Sequence, residues 1–491
     1  MEHKPREQFN AVPARECVSR ALALVLDQGG GSTRGIVFDA RGRSIAKVQV
    51  AVAERRSGAL RVEQDPLELL ASLRECAQAV LAELGSRAGD CTVAGLCTQR
   101  ASALAWNRRT GLPLSPVLSW QDRRAQAAVE ALLPEAGRIE RLSGLRLSPH
   151  YGASKLRWLV EELTEVGAAA QAQELCLGPL AGFLAARLCG PGPERVDAVS
   201  ASRTQLLELE SCQWSPELCQ LFGIDPGWLP ELADPQREFG WLRVGTRRMP
   251  LGVVTGDQSA AVFADGEPAA GTVLVNLGTG AFVQRCLRAP LRAEGLLTSL
   301  LPGDSLGPRY ALEGTINGAG SALAWCAERR GSLFTPERLE RGLAADEEPP
   351  LFLNAYAGLA APFWRSDLEA RFSEPATAEL ELAAVAESVL FLVREILQRM
   401  GPAAGRPERV VVSGGLSRSA ALCQRMADLL QLEVERSAEH EATARGLAWL
   451  CLGGPFESLS GERFLPRDNP ALKARAARWR SWLLESLNSP R

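Results

Sequence analysis

The sequence of 491 residues predicts an α/β protein built from two copies of one unit. Three observations carry this. A pair of short β-type runs around a glycine-bearing turn occurs twice, as VLDQGGGSTRGIVFD (Val25–Asp39) and VLVNLGTGAFVQ (Val273–Gln284). Each pair is followed by helix-rich sequence, so an internal duplication is the simplest reading. The chain also exceeds the roughly 250–300 residues at which single cores stop growing, which sets a prior of two domains.

After a polar leader (1–20), Ala21–Val50 alternates short apolar runs with turns, as an antiparallel meander would. Leu67–Leu84 spaces its apolar residues as a helix does, and TVAGLCTQ reads as a buried strand. Helical patterns follow around Ala125–Leu133 and Ser154–Leu163, and GPGPE (Gly190–Glu194) marks a surface loop. Near Pro250 the composition resets with PLGVVTGDQSAAVFADG, and the second hairpin follows. Helical patterns at Ala319–Arg330 and Ala378–Met400 precede ERVVVSGGLSRSAALCQRMADLL, a strand, a glycine turn and a helix. The expected domains are 21–249 and 250–455, with a charged helical tail at 456–491 that packs or lies on the surface.

A net charge of -3 gives no electrostatic case for nucleic acid or for an anionic membrane. The 12 cysteines form no Cys-x-x-Cys pair and there are only 3 histidines, which excludes the usual zinc spacings and gives no disulfide framework. Free thiols suit a reducing cytoplasm. The N-terminus lacks the apolar stretch of a signal peptide, and no run approaches the ~18–20 apolar residues of a membrane span.

Several motifs admit both a structural and a chemical reading. From Asp27 to Arg34, successive amides in a tight turn make a positive nest for an anion, and the acid at the strand end can hold Mg²⁺ through water. The same residues also suit a hairpin with a bulged turn. In TGDQSAAVF, Asp257 either caps a helix or takes a proton as a general base, with Gln258 beside the acceptor. NLGTGAF (Asn276–Phe282) supplies a second turn with amides and the Thr279 hydroxyl; two such turns in duplicated halves would clamp a nucleotide's phosphates. Gly414-Gly415 is either a helix-start turn capped by Ser417 or Ser419, or bare backbone under a base and ribose. Arg100 in CTQRASALAWN makes a surface ion pair or donates to polyol hydroxyls, and Trp120 in LSWQDRRA fills core or floors a sugar site.

The ordered set DQGGGSTRGIVFD, TQRASALAWNRRTGLPLSPVLSWQDRRA, SASRTQLL, GDQSAAVF, LGTGAF, YALEGTINGAGSALAW, YAGLAAPFW and VVSGGLSRSAAL resembles the FGGY carbohydrate kinases, with the glycerol kinase-like branch nearest. The resemblance is collinear from about Leu22 to Leu452. It implies two duplicated domains of the hexokinase–actin–chaperone ATPase (ribonuclease H-like) fold, with ATP and Mg²⁺ in the central cleft. On this resemblance the first domain carries the acceptor site and first phosphate loop, and the second carries the other phosphate loop and the adenosine site. Position by position, it makes Asp27 the magnesium-side acid. Gly31, Ser32 and Arg34 fall on the first phosphate loop, and Thr279 and Gly280 on the second. Gly320 falls on a nucleotide-contacting helix start, Gly415 under the adenosine, and Ser419 where an asparagine is usual. Asp257 matches the catalytic base, with Gln258 and Phe282 beside the acceptor. Arg100 and Trp120 match acceptor-binding residues, and His150 takes the place of the acceptor tyrosine, with Tyr151 beside it.

Other departures concern both substrates. The glutamate that follows Gln-Arg in glycerol kinases is Ala101, two phosphate-loop threonines are Gly30 and Gly31, and a helix-start glutamine is Ala324. The segment after GLAAPFW is shortened to RFSEPATAEL. Losing a charge-assisted hydrogen bond costs roughly 1.5–3 kcal/mol, or about 10- to 100-fold in affinity, so Ala101 argues against tight glycerol binding unless another group compensates. The implied activity is transfer of the γ-phosphoryl group of ATP to a terminal hydroxyl of a small polyol or sugar. A ketose or alditol acceptor of the xylulose, ribulose or erythritol type stays open, as does a nucleotide-binding pseudokinase with a regulatory role. Dimers and tetramers are common in the family, which leaves a homo-oligomer open.

Overall fold

A computed structural model of the chain describes residues 21–234, 239–439, 441–457, 459 and 461–488; the expected leader at 1–20 lies outside the described residues. In the first half, six strands form one mixed sheet: β1 (Leu22–Gln28), β2 (Ser32–Asp39), β3 (Ser44–Ala51), β4 (Cys91–Thr98), β5 (Gly240–Val244) and β6 (Arg247–Gly256), in the order β5-β6-β4-β1-β2-β3. The meander expected at the start is there: β1, β2 and β3 pair antiparallel, with Leu22 opposite Asp39 and Gln28 opposite Thr33. Strand β4 then runs parallel to β1, and β6 parallel to β4.

The second half repeats this plan. Its sheet comprises β7 (Thr272–Leu277), β8 (Ala281–Leu287), β9 (Leu297–Asp304), β10 (Gly307–Ile316), β11 (Arg409–Ser413), β12 (Glu433–Arg436) and β13 (Glu462–Phe464), in the order β9-β10-β8-β7-β11-β12-β13. The run β10-β8-β7-β11-β12 reproduces β3-β2-β1-β4-β6, with the same antiparallel and parallel relations. A separate five-stranded sheet in the first half includes Ala103–Asn107, Val117–Leu118 and Leu175–Pro179. It supports the loops around Arg100, Trp120 and His150.

One boundary differs from expectation, and the tail takes the packed course of the two expected for it. The division at 249/250 falls inside β6, which stays in the first sheet as far as Gly256, because its partner β4 continues to Thr98 beside it. The tail beyond 456 is structural: β13 extends the second sheet, and the helix Pro470–Asn488 buries Trp479, whose Nε1 donates to the Phe352 carbonyl at 2.8 Å. No helix among the described residues is long and apolar enough to cross a membrane.

The apolar run LALVL is a strand buried on both faces, as a sheet covered by helices on each side requires. Leu22, Leu24 and Leu26 face a core shared with the helix Pro66–Leu84, while Val25 faces one shared with the helix Ala442–Leu452. This second helix and the short helix Asp257–Ala261 lie between the two sheets. Ala260, Ala444 and Leu447 meet the first sheet at Val25, Ile36 and Cys97. One turn further on, Phe263 stacks on Trp449 with centroids 5.6 Å apart, and both pack with Leu301 and Ala311 of the second sheet.

The crossing requires glycine at one position, since a Cβ on Gly446 would stand 1.9 Å from the Ala260 carbonyl oxygen. Gly446→Ala is therefore expected to destabilise the fold by about 1–3 kcal/mol or more through overpacking, read as a lower urea midpoint.

Candidate functional site

Three neighbouring parallel strands end side by side, and each ends on a polar group. Asp27 lies near the end of β1, Gln99 and Arg100 follow β4, and Asp257 follows β6. The carboxyl ends of parallel strands are where open α/β sheets build their sites. From the other half, the Gly414-Gly415 turn after β11 lines the same space, as do Asn276 and Phe282 on the strands either side of the β7–β8 turn. The cleft between them measures ≈ 870 Å³, and Arg34, Asp257, Gln258, Phe282 and Gly415 are among its lining residues.

In the first glycine turn the Gly29 amide donates to Ser32 O at 2.9 Å. The next two carbonyls are taken: Gln64 Nε2 donates to Gly30 O at 2.9 Å and the Val52 amide to Gly31 O at 3.2 Å. The Gly30 and Gly31 amides have no acceptor among the described residues. A Cβ on either would meet nothing within 4 Å, so the missing side chains leave open space beside the amides. Gly31 is exposed and Ser32 half-buried. The second turn is knotted to the helix Gly320–Glu328: the Ala319 and Ser321 amides donate to Thr279 O, and the Gly320 amide donates to Gly278 O at 3.0 Å. Thr279, Gly280 and Gly320 thus form one local structure, with the Thr279 side chain exposed.

Asp27 and Arg34 are direct cross-strand partners, and Arg34 Nη2 donates to Asp27 Oδ2 at 2.5 Å. The other guanidinium nitrogen reaches Glu441 Oε2 at 2.6 Å, at the start of the helix Ala442–Leu452. Burial raises the Asp27 pKa, the Arg34 charge opposes that, and the Asp257 carboxylate raises it further.

Asp257 opens its helix and accepts from the Gln258 amide at 2.7 Å; Gly256 is the preceding cap residue. A Cβ on Gly256 would stand 2.5 Å from Arg100 Cγ, so the glycine lets the arginine stem cross beside the acid. Arg100 Nε lies 4.0 Å from Asp257 Oδ1, and its Nη2 donates to Gln258 Oε1. Beneath them lies a buried carboxylate that sequence reasoning missed. Glu313 accepts from Arg203 Nη1 at 3.0 Å, Ser299 Oγ at 2.6 Å and Gln284 Nε2 at 2.9 Å, with Arg100 Nη1 4.0 Å away. Burial alone pushes this carboxyl upward, but the two guanidiniums and the hydrogen bonds outweigh it and bring it down to about 2. SASRTQLL and YALEGTIN contain these residues, yet nothing local in either motif marks a partner some hundred positions away.

Two expected site residues, Ser419 and His150, turn to other partners. Ser419 caps the helix Ala420–Leu430, accepting from the Leu422 amide at 3.1 Å, so its hydroxyl is committed to the helix. His150 is exposed, with Nδ1 3.1 Å from the Trp120 carbonyl oxygen, and Trp120 itself is 46% exposed. The residue turned inward is Tyr151, whose ring lies 5.0 Å beneath the Arg203 guanidinium. The reason is the entry into the helix Gly152–Glu162, where Tyr151 stands as the cap residue facing Leu145 and Leu297 while its neighbour faces out.

Comparison with known proteins identifies the plan. Family models for the FGGY family of carbohydrate kinases match in tandem, the N-terminal domain over residues 22–264 and the C-terminal domain over residues 273–452. The chain is 34% identical to a glycerol kinase of Thermus brockianus over 484 residues, 94% of this chain and 96% of the relative. In fold it is similar to the crystal structure of Plasmodium falciparum glycerol kinase with ADP (TM-score 0.87, 22% identity, 96% of this chain and 99% of that one). It is also similar to xylulose kinase from Rhodospirillum rubrum (TM-score 0.82, 22% identity, 94% and 97%). These structural likenesses carry the fold.

Removing the Glu313 charge leaves two buried guanidiniums facing each other. Glu313→Gln is expected to cost about 3–5 kcal/mol in urea unfolding, well above the effect of an exposed carboxylate.

Proposed function

Since the chain belongs to the FGGY family of carbohydrate kinases, we propose that it transfers the γ-phosphoryl group of ATP to a terminal hydroxyl of a small polyol, glycerol or a near analogue. The observation that carries this reading is the meeting of Arg100 with Asp257 and Gln258, two residues that line the cleft together with Phe282 and Gly415. Asp257 takes the hydroxyl proton as the oxygen attacks phosphorus. Arg100 and Gln258 hold the acceptor, Tyr151 lies beside them, and Phe282 lines the cleft. The Gly30 and Gly31 amides of the first turn and the Thr279–Gly280 turn hold the phosphates in line, and Gly415 underlies the nucleoside.

Among the described residues no group of three or more His, Cys, Asp or Glu side chains could hold a metal by itself. A single buried carboxylate such as Asp27 suits Mg²⁺, which keeps water and takes phosphate oxygens for the rest. Bound there with the nucleotide, the ion would neutralise phosphate charge. The eleven described cysteines are all free, which suits the reducing cytoplasm. A second reading, with a ketose or larger alditol as acceptor, draws on Ala101, which leaves no carboxylate at that position.

Asp257→Asn is expected to lower acceptor phosphorylation by about 100- to 10,000-fold with nucleotide affinity unchanged. Wild-type turnover in this variant contradicts the assignment. Burial raises the Asp257 pKa above 3.8, against the opposing charge of Arg100. The base must be ionised, so activity is present above the raised pKa and lost as pH falls through it. The acid limb of the kcat/KM profile is expected above the ordinary aspartate range.

A further inference from the structure

Among the buried charges outside the acid–arginine cluster, Lys155 is held by main-chain atoms. Lys155 is fully buried in the helix Gly152–Glu162. Its Nζ donates to Ser119 O at 2.7 Å, to His150 O at 2.9 Å and to Ala101 O at 3.3 Å. An ammonium has three donors and no acceptor, so three convergent carbonyls satisfy it completely. Burial pushes its pKa down to about 7, with Asp122 opposing and Arg124 adding to the shift; the carbonyls supply what holds a cation here.

Each of the three carbonyls belongs to a residue next to a side chain of the proposed acceptor site. Ala101 follows Arg100, Ser119 precedes Trp120, and His150 precedes Tyr151. Ala101 is also strained, with φ of 63°, a left-handed conformation that disfavours any residue with a Cβ. Strain at a residue beside a binding side chain persists only where the surroundings restrain it, and the Lys155 bond to the Ala101 carbonyl is one such restraint.

Resting on the phosphotransfer reading above, we propose that Lys155 is a positioning residue for the acceptor. Its ammonium pins three loops by their backbone and so sets Arg100, Trp120 and Tyr151 in one register. The residue touches no substrate, and the nucleotide-binding turns of the second half are independent of it.

The test uses the full-length protein and four readouts: acceptor KM and kcat over a polyol panel, ATP affinity, and acceptor-independent ATP hydrolysis. Lys155→Met is expected to reduce acceptor kcat/KM by about tenfold or more, with ATP affinity and hydrolysis to water within about twofold of wild type. Adding Ala101→Gly to that variant is expected to recover part of the loss, because glycine adopts the left-handed backbone without strain. Should Lys155→Met not fold, Lys155→Gln, which keeps donors for two of the carbonyls, reads the same split. Unchanged acceptor parameters, or ATP affinity falling in step with them, overturn the proposal. So does failure of both variants to fold, which makes Lys155 an element of stability alone. A wild-type protein that phosphorylates no member of the panel instead overturns the phosphotransfer reading, and does so before any variant is compared.

Discussion

The site depends on the contact between two helices held between the sheets. With no Cβ on Gly446, the helix Ala442–Leu452 lies directly against the Ala260 backbone. Asp257 and Gln258 start one of these helices, and Glu441 precedes the other. Their closeness fixes how far the floor of the cleft lies from each sheet. It also brings Glu441 to Arg34, so that a residue late in the chain holds an arginine on the first hairpin.

From that floor upward, the site divides by electrostatics. On the acceptor side, Arg100 and Arg203 share the Glu313 carboxylate, and the buried charges are matched by hydrogen bonds from Ser299 and Gln284. A buried ion pair contributes little net stability against an apolar replacement, but breaking one is costly. The arrangement therefore holds guanidiniums at fixed places facing Asp257. On the donor side, Arg34 links Asp27 to Glu441, and Arg418, Arg436 and Glu439 line the cleft near Gly415. The first turn's Gly30 and Gly31 carbonyls are taken by Gln64 and Val52, while the two glycine amides have no acceptor among the described residues and open space beside them. The donor side therefore combines free backbone donors with charge, whereas the acceptor side is built on matched buried charges.

How much of this was legible in the sequence follows from range. The duplicated hairpins could be read because a strand, a glycine turn and a strand are local, and both meanders form as their alternation implies. TVAGLCTQ read as a buried strand, and β4 buries Ala94, Leu96 and Cys97. The edge strand Glu462–Phe464 and the core role of Trp479 were not legible, since a charged tail carries no local sign of the sheet it joins. His150 and Tyr151 show the limit most sharply. Position in a motif favoured His150, yet the entry angle of one helix decides which of two neighbours points inward. Glu313 and Lys155 were invisible for the same reason: their partners are far away in sequence, and several of those partners are main-chain atoms.

The central claim is that both glycine turns and Asp257 act on one transferring phosphoryl group. A crystal structure with ADP, Mg²⁺ and aluminium fluoride tests it most directly. The account predicts the fluoride group between the Gly30–Ser32 turn and the Thr279–Gly280 turn, with the Asp257 carboxylate opposite the leaving ADP oxygen. Fluoride held by one turn alone, or ADP bound away from Gly415 with Asp257 remote from the fluoride, would contradict it.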